Sequence, residues 1–309
     1  VDISAVVVSY NSARFLGQNL NSLFQQTVHF RRVIVVDNAS RDGSRAVLDA
    51  FPSVETILLA DNIGYAAAAN RGIGRTDSEL VLVANADIYL DADFNRRALE
   101  FFADHPQAGM LSPLLLRFDR ETVDSAGQAC SLALYPRERG YNRRLARIPL
   151  TEGEVFSVCG AASVFSRRAL ERLKVGDEYY DEDFFMFWED FDIGWRANLL
   201  GVKVFFTPRA IAYHFRSGTL PRTIWARFSL AAARPVPLRF HLVKNRYLTL
   251  IKNFRWRKSW TALPFVVLKD LLWIGALTIR SPKIIIAVAR SRELFKKAWK
   301  KRKMISAHE

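Results

Sequence analysis

Cysteine is nearly absent: Cys130 and Cys159 are the only two among 309 residues, with no CxxC and no pairing spacing. That excludes a disulfide framework, gives no zinc signature, and favours a reducing compartment. Two common phosphate cradles are missing as well. No GxGxxG follows the first strand-like run and no GxxxxGK[ST] occurs anywhere, which disfavours a dinucleotide dehydrogenase and a P-loop NTPase. The N-terminus, Val1-Asp2-Ile3-Ser4, lacks a charged segment followed by an apolar one, so no signal peptide is expected and a cytoplasmic placement is. Residues 262–289 are apolar but broken by Lys269, Asp270, Arg280 and Lys283, and fall short of the ~20 uninterrupted residues of a spanning helix.

What the chain does have is a half-apolar composition, ample for a core, and a net charge of +14. The charge is not spread evenly. Residues 239–309 carry 18 Lys/Arg against three acids, a local +15, which leaves residues 1–238 at −1. The basicity belongs to a tail, and a tail of that kind suits an anionic surface.

Apolar runs with strand character at 3–10, 33–36, 56–59 and 80–84 alternate with helical spacing at 13–26, 44–51 and 65–75. This predicts an α/β fold, a mostly parallel, doubly wound, Rossmann-like sheet flanked by helices. Ligands of such sheets bind beyond the carboxyl ends of the strands. Here those ends are polar: Ser9-Tyr10-Asn11, Asp37-Asn38, Asp61-Asn62-Ile63-Gly64 and Asn85-Ala86-Asp87. From 108 to 147 the pattern weakens into a basic, turn-rich region expected to be flexible or to cover substrate. Beyond it, 155–165 reads as a strand, 167–173 and 190–200 as helices, and 202–206 as a late strand.

The densest chemistry lies at 181–192, where six carboxylates, among them Glu189 and Asp190, alternate with aromatics. Apolar neighbours raise carboxylate pKa values and can make a general base of one. Acids at a helix start also complement its dipole, so capping is an equal reading on composition alone. Asp87, ending an apolar strand two residues after Asn85, could hold a divalent cation together with substrate phosphates, or could simply form a turn. Asp37-Asn38-Ala39-Ser40 could be a helix cap, and His214 a structural histidine.

Taken together, the blocks Val35–Ser44, Asn62–Gly72, Asn85-Ala86-Asp87, Cys159-Gly160-Ala161 and Phe184–Asp192 resemble, in order, those of family-2 glycosyltransferases, most closely the rhamnosyltransferase-like branch. The resemblance covers residues 3–217. It implies a GT-A fold and an inverting transferase. By that resemblance Ser9, Tyr10 and Asn11 line the nucleoside pocket, and Asp37, beside Asn38, accepts from the base. Asn62, Gly64 and Asn70 frame the phosphates. Asn85, Ala86 and Asp87 form the metal motif, with Asp87 and His214 on Mg²⁺ or Mn²⁺, and Asp190 is the catalytic base with Glu189 beside it. The family's motif is commonly Asp-x-Asp or Asn-Pro-Asp, so Asn-Ala-Asp is a departure that bears on metal coordination.

The resulting expectations are a transferase domain over 1–237, divided into a nucleotide-sugar half (1–107) and an acceptor and base half (108–237). A basic amphipathic helical region follows over 238–309, lying peripherally on the inner face of the cell membrane. The donor is dTDP-rhamnose, or alternatively a UDP-hexose or UDP-N-acetylhexosamine. The acceptor is a lipid-linked saccharide or polysaccharide of bacterial surface glycan assembly. Tail helices packed on the body are the alternative to membrane binding. Nucleic-acid binding is not expected, since no recognition module accompanies the charge. Pairing as a homodimer is expected. Two rivals are a sugar nucleotidyltransferase, which needs a Gly-rich basic loop that Ser9-Tyr10-Asn11 does not supply, and a catalytically silent glycan-binding scaffold.

Overall fold

The computed structural model describes residues 1–215 and 236–309; the expected acceptor half therefore includes residues, 216–235, outside those described. The first half alternates as the periodicity requires: β1 (Ile3–Ser9), α1 (Ala13–Phe24), β2 (Val33–Asp37), α2 (Ser44–Asp49), β3 (Glu55–Leu58), α3 (Tyr65–Ile73) and β4 (Leu80–Asn85). β1 pairs in parallel with both β2 and β4, and β2 with β3. Because strand side chains alternate in direction, the residues of β1 divide between two packed faces. Ile3, Ala5 and Val7 pack with Leu16, Leu20, Leu23 and Leu48 of α1 and α2 on one face. Val6 and Val8 meet Ala66, Ala68, Ala69 and Ile73 of α3 on the other. A continuous β-branched strand buried on both sides follows.

The chain continues through β5 (Ile88–Leu90), α4 (Phe94–Asp104), β6 (Ala108–Arg117) and β7 (Val123–Ser125). Next come β8 (Gln128–Cys130), β9 (Pro136–Glu138), β10 (Gly153–Glu154), β11 (Ala162–Ser166), α5 (Arg167–Leu173), α6 (Glu189–Leu199) and β12 (Lys203–His214). The main sheet runs β10-β12-β6-β11-β4-β1-β2-β3, with β5 on β12 and β7 on β6. β11 is antiparallel to both its neighbours, β4 and β6, and so joins the parallel first half to the second.

Three expectations change here. The weak region from 108 opens with β6, a ten-residue strand buried for nine of them, inside the sheet. Pro113 obscures it in sequence, since proline cannot donate to a ladder. β12 resolves the conflict with an irregularity: Ser112 pairs with Phe206 and Leu114 with Ile211, so Pro113 has no ladder partner. The late strand consequently runs on to His214 instead of stopping at 206. The strand expected over 155–165 is regular only from Ala162, because 155–161 form a loop that carries backbone groups into the site described below.

The basic tail folds into α7 (Val236–Asn253), α8 (Trp256–Ser259), α9 (Leu263–Arg280), α10 (Pro282–Arg290) and α11 (Arg292–Ser306). Several of its cations face the protein and not an anionic surface. Lys244, Arg246 and Lys252 are fully buried. Lys252 pairs with Asp181 and, at 2.9 Å, with Asp192. Lys301 of α11 lies 2.6 to 3.0 Å from Glu178, Asp181 and Asp183. Burial alone would raise the Asp181 carboxyl; Lys252 and Lys301 outweigh it and hold the group well below the usual carboxylate range. Apolar packing adds to this, with Trp188, Phe191, Trp195 and Leu199 in one cluster with Ala262, Val266 and Ile305. Trp256–Ile279 is, by length and composition, long and apolar enough to cross a membrane, contrary to the expectation that this stretch falls short.

Removing one cation from a buried network leaves its carboxylates uncompensated. Lys252→Met is expected to lower stability by on the order of 3–5 kcal/mol in urea unfolding. Lys297→Met, at a side chain 60% exposed beside Asp183, should change it by less than about 1 kcal/mol. Equal effects would show that the network is not a stability determinant.

Candidate active site

Parallel pairing brings the carboxyl ends of β1, β2 and β4 to one edge. Asp37 ends β2 fully buried; its Oδ1 accepts from Ser40 N at 3.0 Å, while Oδ2 has no partner among the described residues. Ser9 Oγ is likewise buried without a partner there. Asn11 takes a positive φ of 50° and accepts from Arg41 N at 2.8 Å, and Tyr10 stands on the rim, 47% exposed. Asn38 braces the next loop: its Nδ2 donates to Asn62 Oδ1 at 2.9 Å and its Oδ1 accepts from Ile63 N. Gly64, at φ +89°, occupies backbone space closed to a side chain; a Cβ there would sit 2.5 Å from the Phe185 carbonyl. Asn70 is turned to the protein, with Nδ2 donating to Tyr180 O and Glu182 and Oδ1 accepting from Tyr180 N.

Asp87 follows β4 across a short turn, and β12 returns His214 beside it. His214 Nε2 lies 3.4 Å from Asp87 Oδ1, and Nδ1 lies 2.7 Å from Asp124 Oδ2. Burial alone would lower this imidazole, but the hydrogen bonds and charges of Asp124 and Asp87 prevail and raise it to about 9. Asp124 thus orients the ring so that Nε2 faces Asp87, the arrangement in which a second carboxylate supports a histidine ligand. A carboxylate oxygen and an imidazole nitrogen suit a divalent ion that takes its remaining ligands from phosphates. Among the described residues no group of three such side chains could hold a metal without substrate.

Asp190 lies one ladder away. Asn85 N donates to Ala161 O at 2.9 Å, so the Asn85-Ala86-Asp87 and Cys159-Gly160-Ala161 segments run side by side. Gly160 N then donates to Asp190 Oδ2 at 2.8 Å, as does Gln128 Nε2 at 2.8 Å, and Phe191 N donates to Oδ1. A Cβ on Gly160 would meet the Asp190 carboxylate at 3.1 Å, so this close approach uses a glycine. Burial raises Asp190, against those donors. Glu189 is buried too, and burial followed by the Asp190 charge pushes it up to about 8. Its Oε2 has no partner among the described residues, whereas Asp190 has three donors. Glu189, pushed up to about 8, therefore keeps its proton near neutrality, while the neighbouring Asp190 carboxyl accepts three hydrogen bonds. Three donors, from the Gly160 loop, β8 and α6, fix the orientation of the Asp190 side chain.

The loop before this pair is unusual. Phe185, Phe187 and Trp188 have φ of 66°, 68° and 75°. Non-glycine residues in that region persist when their surroundings impose them. Asn245 of α7 does so: its Nδ2 lies 3.0, 2.7 and 2.8 Å from the carbonyls of Phe184, Met186 and Phe187. The tail therefore shapes the base loop. Sequence reasoning missed Gln128, Asp124, Asn245 and Lys252 as contributors, since none stands in a motif and all act through contacts distant in sequence.

The model of the family described as glycosyl transferase family 2 matches residues 4–174. The chain belongs to that family. It is 28% identical over 243 residues to an N-acetylglucosaminyl-diphospho-decaprenol L-rhamnosyltransferase of Mycobacterium tuberculosis, covering 71% of this chain and 78% of that one. It is 23% identical to a poly-beta-1,6-N-acetyl-D-glucosamine synthase of Staphylococcus epidermidis over 68% of this chain, about half (49%) of that protein. Among solved structures, the mannosyltransferase PcManGT from Pyrobaculum calidifontis, in complex with GDP-Man and Mn²⁺, superposes with a TM-score of 0.55 at 17% identity. The alignment covers 99% of this chain and 85% of that one. TarS 1-349 of S. aureus with UDP-GlcNAc gives 0.56 at 14% identity, covering 99% and 91%. These share the GT-A fold, and the family makes the chain a glycosyltransferase.

Glu189 yields a test. The folded chain keeps a proton that an ordinary glutamate, near 4.3, has released. Where the native state binds more protons, stability falls as pH rises. Stability should therefore decline from about pH 4.3 to about pH 8, and Glu189→Gln should flatten that decline in unfolding midpoints across the range. An unaltered slope in the variant would remove Glu189 as the proton's site.

Proposed function

We propose that this glycosyltransferase is metal-dependent and inverting, transferring L-rhamnose from dTDP-rhamnose to a lipid-linked saccharide in bacterial surface-glycan assembly. The observation that carries the reading is the Asp190 carboxyl, which accepts from Gly160 N–H, Gln128 Nε2 and Phe191 N–H and lies next to Glu189, whose carboxyl is pushed up to about 8. The rhamnose and lipid-linked terms are supported by the mycobacterial relative's own activity.

The acceptor hydroxyl attacks the anomeric carbon on the face opposite the leaving group. Its proton passes to Asp190 as the new C–O bond forms, the bond to the nucleoside diphosphate breaks, and a single displacement inverts the configuration. Ser9, Tyr10, Asn11 and Asp37 are read as the nucleoside pocket, Asp37 Oδ2 being an acceptor available to a base N–H. Asn62 and Gly64 shape the loop toward the phosphates, and Asn70 holds that loop to Tyr180. Asp87 and His214 would hold Mn²⁺ or Mg²⁺, which when bound neutralises charge on the departing diphosphate. Residues 1–107 serve as the donor half and 108–237 as the acceptor half.

Residues 238–309 are read as lying on the inner face of the cell membrane. Phe265, Leu268, Leu271, Leu272 and Ile279 of α9 are exposed, as are Trp256 and Trp260 just before it in the chain and Lys296, Lys297, Trp299 and Lys300 of α11. Exposed apolar, aromatic and cationic side chains of this kind suit an anionic headgroup region. Retention on anionic vesicles should drop when Leu268, Leu271 and Leu272 are all replaced by serine; retention at wild-type level would place the surface elsewhere.

A second reading, transfer from a UDP-N-acetylhexosamine, is favoured by the likeness to the N-acetylglucosamine polymer synthase. A donor panel of dTDP-rhamnose, UDP-glucose, UDP-galactose and UDP-N-acetylglucosamine, with and without Mn²⁺ or Mg²⁺, separates the two. The expectation is metal-dependent consumption of dTDP-rhamnose, lost in Asp87→Ala. Asp190→Asn should reduce transfer by a factor on the order of 10²–10⁴ while donor affinity stays within about twofold. Loss of donor affinity together with turnover would argue against the base role, and binding of no donor would favour a silent scaffold.

A further inference from the structure

One side chain, Gln128, connects Asp190 to an open groove of about 650 Å³, walled by the β8–β9 hairpin and the turn at Gly140–Arg143. Gln128 lines the groove and its amide donates to Asp190 at 2.8 Å. An occupant in contact with Gln128 is therefore one side chain away from Asp190. Three guanidinium groups line it, those of Arg137, Arg139 and Arg143, against one carboxylate, Glu138. Glu138 is engaged: it accepts from Ser125 Oγ and, at 2.9 Å, from Gln128 Nε2. The three arginines have no carboxylate within ion-pair distance among the described residues; Arg139 donates to Ala126 O at 3.2 Å and lies over Phe206. Burial lowers the Arg139 guanidinium, a cost that a bound anion would offset.

Unpaired guanidinium groups along a groove match the planar, multiple hydrogen-bonding geometry of phosphate oxygens. A saccharide reaching from Asp190 past Gln128 would bring a phosphate on its anomeric carbon, one ring away from Asp190, to the arginines of this groove. We propose that Arg137, Arg139 and Arg143 bind the diphosphate of the acceptor. The enzyme then selects a sugar joined directly to a diphosphate over a neutral glycan end. The inference rests on the transferase reading above, and it narrows that reading's acceptor to one class.

The test uses the full chain, with Asp190→Asn as the background for binding so that turnover does not intervene. Probes are an N-acetylglucosaminyl diphosphate bearing a short prenyl chain and an uncharged alkyl N-acetylglucosaminide, titrated by calorimetry. The double variant Arg137→Gln/Arg143→Gln should weaken the diphosphate probe about tenfold or more. The preference for the charged probe over the neutral one should shrink accordingly, with the thermal midpoint as a check that the variant folds. Equal weakening of both probes, or of neither, overturns the proposal. Retention on vesicles of anionic phospholipid is measured alongside. Loss there, with diphosphate binding unaltered, would assign the arginines to bilayer headgroups and overturn it as well. The two readings fail separately. Arginine-dependent binding without transfer to either probe by the chain carrying Asp190 would remove the transferase reading and leave the anion site. Transfer that is indifferent to the arginines would do the reverse.

Discussion

The loop leading to Glu189 and Asp190 is held by charge that comes from elsewhere in the chain. Asp181, Asp183 and Asp192 crowd one short stretch, and without cations their repulsion and desolvation would open it. Lys252 and Lys301 enter from two tail helices and neutralise them inside the protein. Asn245, one turn and more from Lys252 on the same helix, collects the carbonyls that the left-handed residues leave over. Positive φ at Phe185, Phe187 and Trp188 is tolerable only under such external constraint. The placement of Asp190 against Gly160 and Gln128 therefore rests on residues more than fifty positions away.

The first half of the fold was legible because its strands obey one rule. Alternate residues of β1, β2 and β4 feed two helical layers, which demands uninterrupted apolar runs, and those runs are plain in the sequence. The second half obeys no single rule. β6 contains Pro113, admissible only because β12 leaves the ladder opposite it, and no local pattern announces a compensation made a hundred residues later. The helices of the tail were visible, yet the destination of their charges was not. Lys252 and Lys297 look alike in sequence, and one is fully buried while the other is exposed.

The site divides similarly. Asp37, Asp87, Asp190 and Glu189 stand in blocks resembling a family, and the strand ends that carry them converge as a parallel sheet requires. The groups that tune them could not be read: Asp124 behind His214, Gln128 beside Asp190 and the Gly160 N–H. Each works by geometry, through a hydrogen bond between segments that only the folded sheet brings together. The antiparallel strand β11 is the device that does it. It lies between β4 and β6, and the loop leading into it meets Asp190 at Gly160 and then Asn85 at Ala161.

Gly64 and Phe185 meet with no room for a methyl group between them, and Ala66 N donates to the same Phe185 carbonyl at 3.3 Å. The loop before α3 and the loop before Asp190 thus touch through backbone. Such a seam has a bearing on inheritance and engineering. Recombination that exchanged the N-terminal half between relatives, in search of a new sugar preference, would import a Gly64 loop shaped for another Phe185. Donor and acceptor preferences are for that reason expected to travel as one linked trait, and to resist being shuffled as modules.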